Sequence, residues 1–401
     1  MTLFFRTVSV EDAVTAACSI APLTAVADLP LSAASGHVLA SDITADIDIP
    51  GFSRATMDGY ALVSADTIGA SESLPAMLRL TGRIGMGAPA DRDVSRGTCV
   101  YVPTGGAIPP GADGLAMIEV TESIGDDVLV KRPVAVGESI MMRGEDFSRG
   151  SVVVCRGTRL APGDIGALAA VGTTRVPVRK PPVVGIISTG NELVPVGEIP
   201  SGGQVRDINS YLVGAYLVSQ GCIPEYFGIV RDDRAALRRT LDTAIDRCDA
   251  VLLSGGSSKD DRDMTADIIR DAGEVLVHGI SIAPGKPTII GRARGKPVIG
   301  LPGHPASALV VTLVIVRPLL SAMTGQLERG LMTRPAILAE NIPSVKGRED
   351  YVRVRLADGK AIPEFGKSGL INTLVRSAGL VRIPAGMEGL EEGEVVEVIL
   401  W

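Results

Sequence analysis

The chain has 401 residues, of which 46% are hydrophobic but only 3% aromatic, so its cores have to be built from Val, Ile, Leu and Ala over two to four domains. A formal charge of −7 argues against nucleic acid or an acidic membrane as main partner, although cations and backbone amides gathered in one cleft still let an acidic protein handle anions. Five scattered cysteines without a C-x-x-C pair and three separated histidines leave no zinc pattern and read as a reduced, cytoplasmic protein.

The N-terminus lacks a signal-peptide pattern, and the longest apolar stretch, 308–316, is too short for a bilayer. Residues 1–45 show helical spacing over 9–18 and again around 37–39. Together with 147–180, which carry a helix-like stretch at 165–171, they read as an N-terminal arm and bridging domain. Residues 46–146 break into short β-type runs (60–63, 78–83, 98–102, 115–119, 128–130) between Gly and Pro, which predicts a β-rich domain.

From 181 to 328 the pattern changes. Apolar strands at 183–188, 225–230, 250–254, 288–291 and 298–301 alternate with helices at 209–220, 234–247, 264–272 and 305–323. That alternation predicts a doubly wound, mostly parallel α/β domain, whose ligands bind outside the C-terminal strand ends. The last segment, 329–401, alternates as strands at 351–356, 380–383 and 394–400 and predicts a small β-barrel. The expected fold class is therefore multidomain α/β plus β.

Chemistry concentrates at strand-ending loops. Ser254, Gly255 and Gly256 follow a strand and precede a helix, where small residues let backbone amides approach an anion. Ser188-Thr-Gly-Asn-Glu192 and Leu301-Pro-Gly-His-Pro-Ala-Ser307 end strands of the same sheet in similar style. Glu192, Asp232, Asp260, Asp261 and Asp263 stand beside these loops; each alone reads as a surface group, several together as oxygen donors for Mg²⁺. Lys286 lies in a loop fixed by Pro284 and Pro287 and suits an oxyanion or plain solvent equally. In the β-rich segment, Asp58 of an Asp-Gly pair, Thr104 and Asp146 are loop residues for which turn formation is the simple explanation. P-loop and G-x-S-x-G elements are absent from the sequence, which argues against those NTPase and hydrolase classes.

Taken in order, these elements resemble the molybdopterin molybdenumtransferase family, of the MoeA and gephyrin E-domain type. The stretch from Phe52 to Ala61 is similar to F-x-x-S-x-M-D-G-Y-A, with Ala55-Thr56 where a serine is usual. Pro103 to Asp113 resembles T-G-A-x-x-P-x-G-A-D with one extra glycine. Arg143-Gly-Glu-Asp146, Ser188 to Leu193, Arg231-Asp-Asp233, Ser254-Gly-Gly256, Pro284-Gly-Lys-Pro287 and Gly300 to Pro305 have counterparts too.

The resemblance implies an elongated homodimer with a bridging domain, a β-rich domain, a MogA-like α/β domain and a C-terminal β domain, its site lying between subunits. It implies that Asp58, Thr104, Asp146, Glu192, Asp232 and Asp263 are needed for activity. Glu192, Asp232 and Asp263 are the implied Mg²⁺ ligands. Ser254, Gly255, Gly256, Lys286, Pro302, Pro305, Ser307, Arg353 and Ser368 are implied to bind substrate. The implied substrates are adenylylated molybdopterin and molybdate, with tungstate as an alternative oxyanion and AMP as the leaving group.

Asp260 stands where the family's S-G-G-x-S-x-G loop carries its last glycine, which suggests a stronger need for Mg²⁺. Ala283 stands where Lys, Arg or Met is frequent, Gly279 where some members carry a lysine, and His304 where asparagine is usual. A molybdopterin adenylyltransferase, or a non-catalytic cofactor carrier or scaffold, are the competing readings.

Overall fold

The computed structural model describes residues 7–255, 259–327 and 330–401, without the side chains of 259–263. Its α/β sheet has six strands in the order Ile223–Val230, Val183–Thr189, Ala250–Gly255, Lys296–Leu301, Ile289–Ala293, Gly273–His278. The first three pairings are parallel, and of the six strands Ile289–Ala293 alone runs against its neighbours.

Strand side chains alternate between two helical layers, as the period of two requires. Val184, Ile186, Ala250 and Leu252 face the layer containing Val10–Ser19, Asn209–Ser219 and the helix Pro305–Thr324. Ile187, Val251 and Leu253 face the layer formed by Arg234–Arg247 and Lys259–Ala272. The helix Pro305–Thr324 is long and apolar enough to cross a bilayer, but 83% of its most apolar window is buried inside the protein. It is the packing centre of the domain.

The sequence differs from the structure in two N-terminal elements. Helix Val10–Ser19 is capped by Ser9, whose Oγ accepts the Asp12 amide at 3.0 Å, and it buries Val10, Ala13 and Ala17 in the α/β core rather than extending as an arm. Residues 38–39 form a strand, not a helix, and pair with Arg175–Arg179, which also pairs with Val26–Pro30. Gly36, at φ +80°, turns the chain just before them, and both Val38 and Leu39 are buried, as two neighbours on one amphipathic helix would not both need to be.

The β-rich segment holds a sheet of order Gly114–Met117, Gly59–Leu62, Thr98–Val102, Ala76–Arg83, Asp127–Val130, Thr121–Ile124, with its own apolar clusters on both faces. In the C-terminal segment Glu349–Ala357, Lys360–Pro363, Thr333–Leu338, Val395–Leu400 and Gly379–Ile383 pair in turn, and the last returns to the first, closing a barrel. Two features seat that barrel on the α/β domain. Ile282–Ala283 pairs in parallel with Glu349 and Asp350, and Tyr351, Leu380 and Ile399 join the α/β core.

Candidate active site at the sheet edge

Strand Val183–Thr189 leads to a neighbour on one side and Ala250–Gly255 lies on the other, so their C-terminal ends form the point where strand order reverses. A 320 Å³ cleft opens there, lined by Thr189, Glu192, Ser254, Gly255, His304 and Pro305 together with Asp207 and Asn209. The strand ends touch closely: a Cβ on Gly255 would stand 1.9 Å from Thr189 Cγ2. Asn209 donates through Nδ2 to Ser254 Oγ at 2.9 Å, to the Gly303 carbonyl at 2.8 Å and to the Pro302 carbonyl at 3.4 Å. Two carbonyl acceptors fix which way its amide faces.

Buried Asp207 accepts from Ser188 Oγ at 2.7 Å and the Ser210 amide at 3.2 Å. Asp232 reaches across from the next strand end, accepting from Thr189 Oγ1 at 3.2 Å and the Asn191 amide at 3.1 Å. Glu192 stands exposed at the rim. An adjoining 620 Å³ depression shares Leu193 and Asp207 and carries Tyr211 and Tyr226, ring centroids 6.0 Å apart.

A second pocket, of 410 Å³, lies where the barrel meets the α/β domain. It is lined by Lys286, Lys346 and Arg348 with the hydroxyls of Thr7, Ser281, Ser307 and Ser368, and no carboxylate is among the described lining residues. Its lysine loop is clamped. Gly285, at φ +129°, has no room for a Cβ, which would stand 2.7 Å from Val311 Cγ2 on the central helix. The Gly285 carbonyl accepts from Thr288 Oγ1 at 2.7 Å, and the Lys286 carbonyl accepts from the Ile280 amide at 2.9 Å. Arg348 is oriented by buried Asp350, with Nε 2.9 Å from Oδ1.

The two voids are neighbours. Ser368 Oγ lies 2.8 Å from His304 Nδ1, and the Ser368 carbonyl accepts the Ala306 amide at 3.1 Å, so the barrel loop lies against the start of the central helix and forms the partition.

In the β-rich segment, Asp58 Oδ1 accepts both the Thr104 amide at 2.6 Å and the Thr104 hydroxyl at 2.9 Å. These two donors, the amide first, hold the Asp58 carboxyl below the usual carboxylate range. Asp146 is exposed, its amide donating to the Ile49 carbonyl at 3.0 Å. Among the described residues, no hydrogen bond, ion pair or shared core joins Asp58, Thr104 or Asp146 to the Lys286 pocket.

Comparison with known proteins decides the family. Residues 8–172 match the MoeA N-terminal region (domain I and II), 185–322 a probable molybdopterin binding domain, and 335–401 the MoeA C-terminal region (domain IV). The chain is 32% identical over 372 residues to a molybdopterin molybdenumtransferase of Bacillus subtilis, covering 90% of this chain and 86% of the relative. A protein of Methanocaldococcus jannaschii named for molybdopterin biosynthesis is 35% identical over 385 residues, covering 94% and 92%. A crystal structure of a molybdopterin biosynthesis MoeA protein from Pyrococcus horikoshii superposes with TM-score 0.85 at 32% identity, covering 99% of this chain and 100% of that one. This chain belongs to the MoeA family.

Measured against the expectations for a MoeA protein, the structure brings Glu192, Ser254, Gly255 and Pro305 to the sheet-edge cleft and Lys286, Ser307 and Ser368 to the cationic pocket. Pro302 lends its carbonyl to Asn209. Asp263, Asp260 and Gly256 lie outside the described side chains. Arg353 lies apart from the residues that line the two voids. It does not line the pocket: it is 8% exposed and donates through Nη2 to the Gly366 carbonyl at 2.7 Å, beneath the loop that carries Ser368. Arg348, at the strand entrance, takes the place the sequence gave to Arg353.

Sequence reading also missed Asp207, Asn209 and Lys346. Buried polar side chains leave no periodic trace, although Asp207 lies just before the predicted helix 209–220 and Asn209 opens it. Lys346 and Arg348 line the pocket from the barrel side, each paired there with a carboxylate, Lys346 Nζ 3.1 Å from Glu388 Oε1 and Arg348 Nε 2.9 Å from Asp350 Oδ1. Cys99 and Cys222 are buried and their thiols pushed up to about 12 by burial, as inert core cysteines are, whereas Cys155 is exposed.

Proposed function

We propose that this MoeA protein inserts molybdate into adenylylated molybdopterin and releases AMP. The observation that carries the reading is the pair of adjoining voids, one lined among the described residues by three cations and four hydroxyls without a carboxylate, the other at the switch point of the α/β sheet. Bringing a molybdate dianion beside a phosphate-bearing pterin is electrostatically unfavourable in water-poor surroundings. Lys286 and Arg348 offset that repulsion from one side, and the hydroxyls of Ser307 and Ser368 supply directional donors to oxyanion oxygens. Tyr211 and Tyr226 offer half-exposed ring faces to a planar heterocycle beside Asp207.

Molybdenum then exchanges oxygen ligands for the two dithiolene sulfurs, the displaced oxygens taking up the thiol protons as water, and a water molecule cleaves the P–O–P linkage so that AMP leaves from the sheet-edge cleft. Holding both reactants in adjoining voids supplies orientation. Glu192, exposed at the rim, is placed to accept a proton.

Mg²⁺ fits the donor set. Among the described residues no three metal-binding side chains converge, and Mg²⁺ is commonly held by one or two carboxylates completed by water and substrate phosphates. Glu192 and Asp232, with Asp263, would hold it, and when bound it would screen phosphate charge. Asp58, Thr104 and Asp146 would reach this site from the second protomer of a homodimer in the cytoplasm, and tungstate would suit the same oxyanion pocket.

The test is to incubate the purified protein with adenylylated molybdopterin, molybdate and Mg²⁺. AMP release with molybdenum in the pterin supports the insertase. ATP consumption would instead indicate an adenylyltransferase, and neither reaction a carrier or scaffold.

A further inference from the structure

We propose that His304 is a positioning residue that couples oxyanion binding in the cationic pocket to uptake of a proton. The proposal rests on the reading of that pocket as the molybdate site and goes beyond it. Its basis is the contact through which the partition is made: Ser368 faces the cationic pocket, His304 faces the sheet-edge cleft, and Nδ1 lies 2.8 Å from Ser368 Oγ. The ring is also held against the loop backbone, since a Cβ on Gly369 would stand 3.7 Å from His304 Cδ2.

A hydroxyl has one proton to donate. While Nδ1 is unprotonated it can accept that proton, and Ser368 then has no donor left for an oxyanion. Once both ring nitrogens carry hydrogens, Nδ1–H has to donate to Ser368 Oγ, and the hydroxyl proton turns to the pocket. Protonation also adds a positive charge between the two anions. The charged groups facing this contact are Glu192, Arg206 and Asp207 across the cleft, Lys286, Lys346 and Arg348 in the pocket, and Lys367 on the same loop. Of the side-chain types around this contact, histidine is the one that serves as a proton switch in the physiological range.

The experiment uses the full-length protein and molybdate alone, without pterin. Calorimetric affinity should weaken about tenfold from about pH 5.5 to about pH 8, the factor corresponding to one hydrogen bond lost by the anion. His304→Asn and His304→Gln, which do not titrate, should bind with a flat pH profile. Ser368→Ala should bind weakly at every pH. Because the chain has three histidines, proton NMR can follow each one. The imidazole resonance missing from His304→Asn should titrate at higher pH when molybdate is added. Retention of the pH slope in His304→Asn, or an unmoved titration midpoint, overturns the proposal while leaving the pocket reading intact. Failure of molybdate to bind at any pH overturns the pocket reading itself.

Discussion

Asp58 is partly buried, and one of its two carboxylate oxygens, Oδ1, receives both donors of Thr104. The link between the two residues is therefore electrostatic. Since the folded-state pKa lies below the unfolded one, the contribution is present above the ordinary carboxylate value and is lost as pH falls through the lowered one, at or below about pH 4. Asp58→Asn should reproduce at neutral pH the loss of exchange protection that the Thr104 amide otherwise shows only in acid. Unchanged protection of that amide in the variant would show that the loop is held by something else. Gly255 is the opposite kind of residue, needed for absence of atoms. Gly255→Ala has to push the ends of two central strands apart, and should cost about 1–3 kcal/mol in chemical denaturation while widening the cleft. A variant as stable as the parent would contradict the packing described.

The elements show how much of this architecture a sequence can reveal. The α/β domain was legible because its strands are continuous apolar runs and its helices carry a 3.6-residue period, two signals that do not imitate each other. Residues 38–39 were not, because two apolar neighbours fit either pattern and pairing with Arg175–Arg179 decides between them. The two arginines at 348 and 353 sit in one strand region, and spacing cannot tell which reaches the pocket. Packing does: Arg353 is buried and donates to the Gly366 carbonyl, whereas Arg348 lines the pocket.

Arg353 nonetheless matters to the pocket through the loop it supports. It donates to the Gly366 carbonyl, its own carbonyl accepts the Glu364 amide at 2.8 Å, and burial holds its guanidinium below the usual range. Arg353→Met should destabilise the protein by about 2 kcal/mol and weaken molybdate binding without removing any pocket residue. Lys286→Met should weaken binding with no loss of stability, since Lys286 is exposed and its side chain has no hydrogen-bond partner among the described residues. Thermal unfolding and calorimetry on the two variants separate support from contact. Identical profiles would contradict the distinction.

At the scale of the whole molecule, the N-terminal helix and the barrel both pack into the α/β core, whereas the β-rich sheet keeps its own clusters. Asp58, Thr104 and Asp146 are thereby carried on a body distinct from the two adjoining voids. In the proposed homodimer, a second protomer related by twofold symmetry would bring Asp58, Thr104 and Asp146 to the pocket, each site then drawing on both chains. The sequence showed both halves of this arrangement as motifs, but motifs in one chain do not say which copies meet.

Subunit mixing tests that arrangement most directly. Asp58→Asn and Lys286→Met homodimers, each assayed alone for AMP release, should be inactive. After exchange of subunits, half the dimers are mixed and each mixed dimer has one intact site of two, so activity should recover to about a quarter of the parent's. Mixtures that stay as inactive as their components would contradict a site shared between subunits.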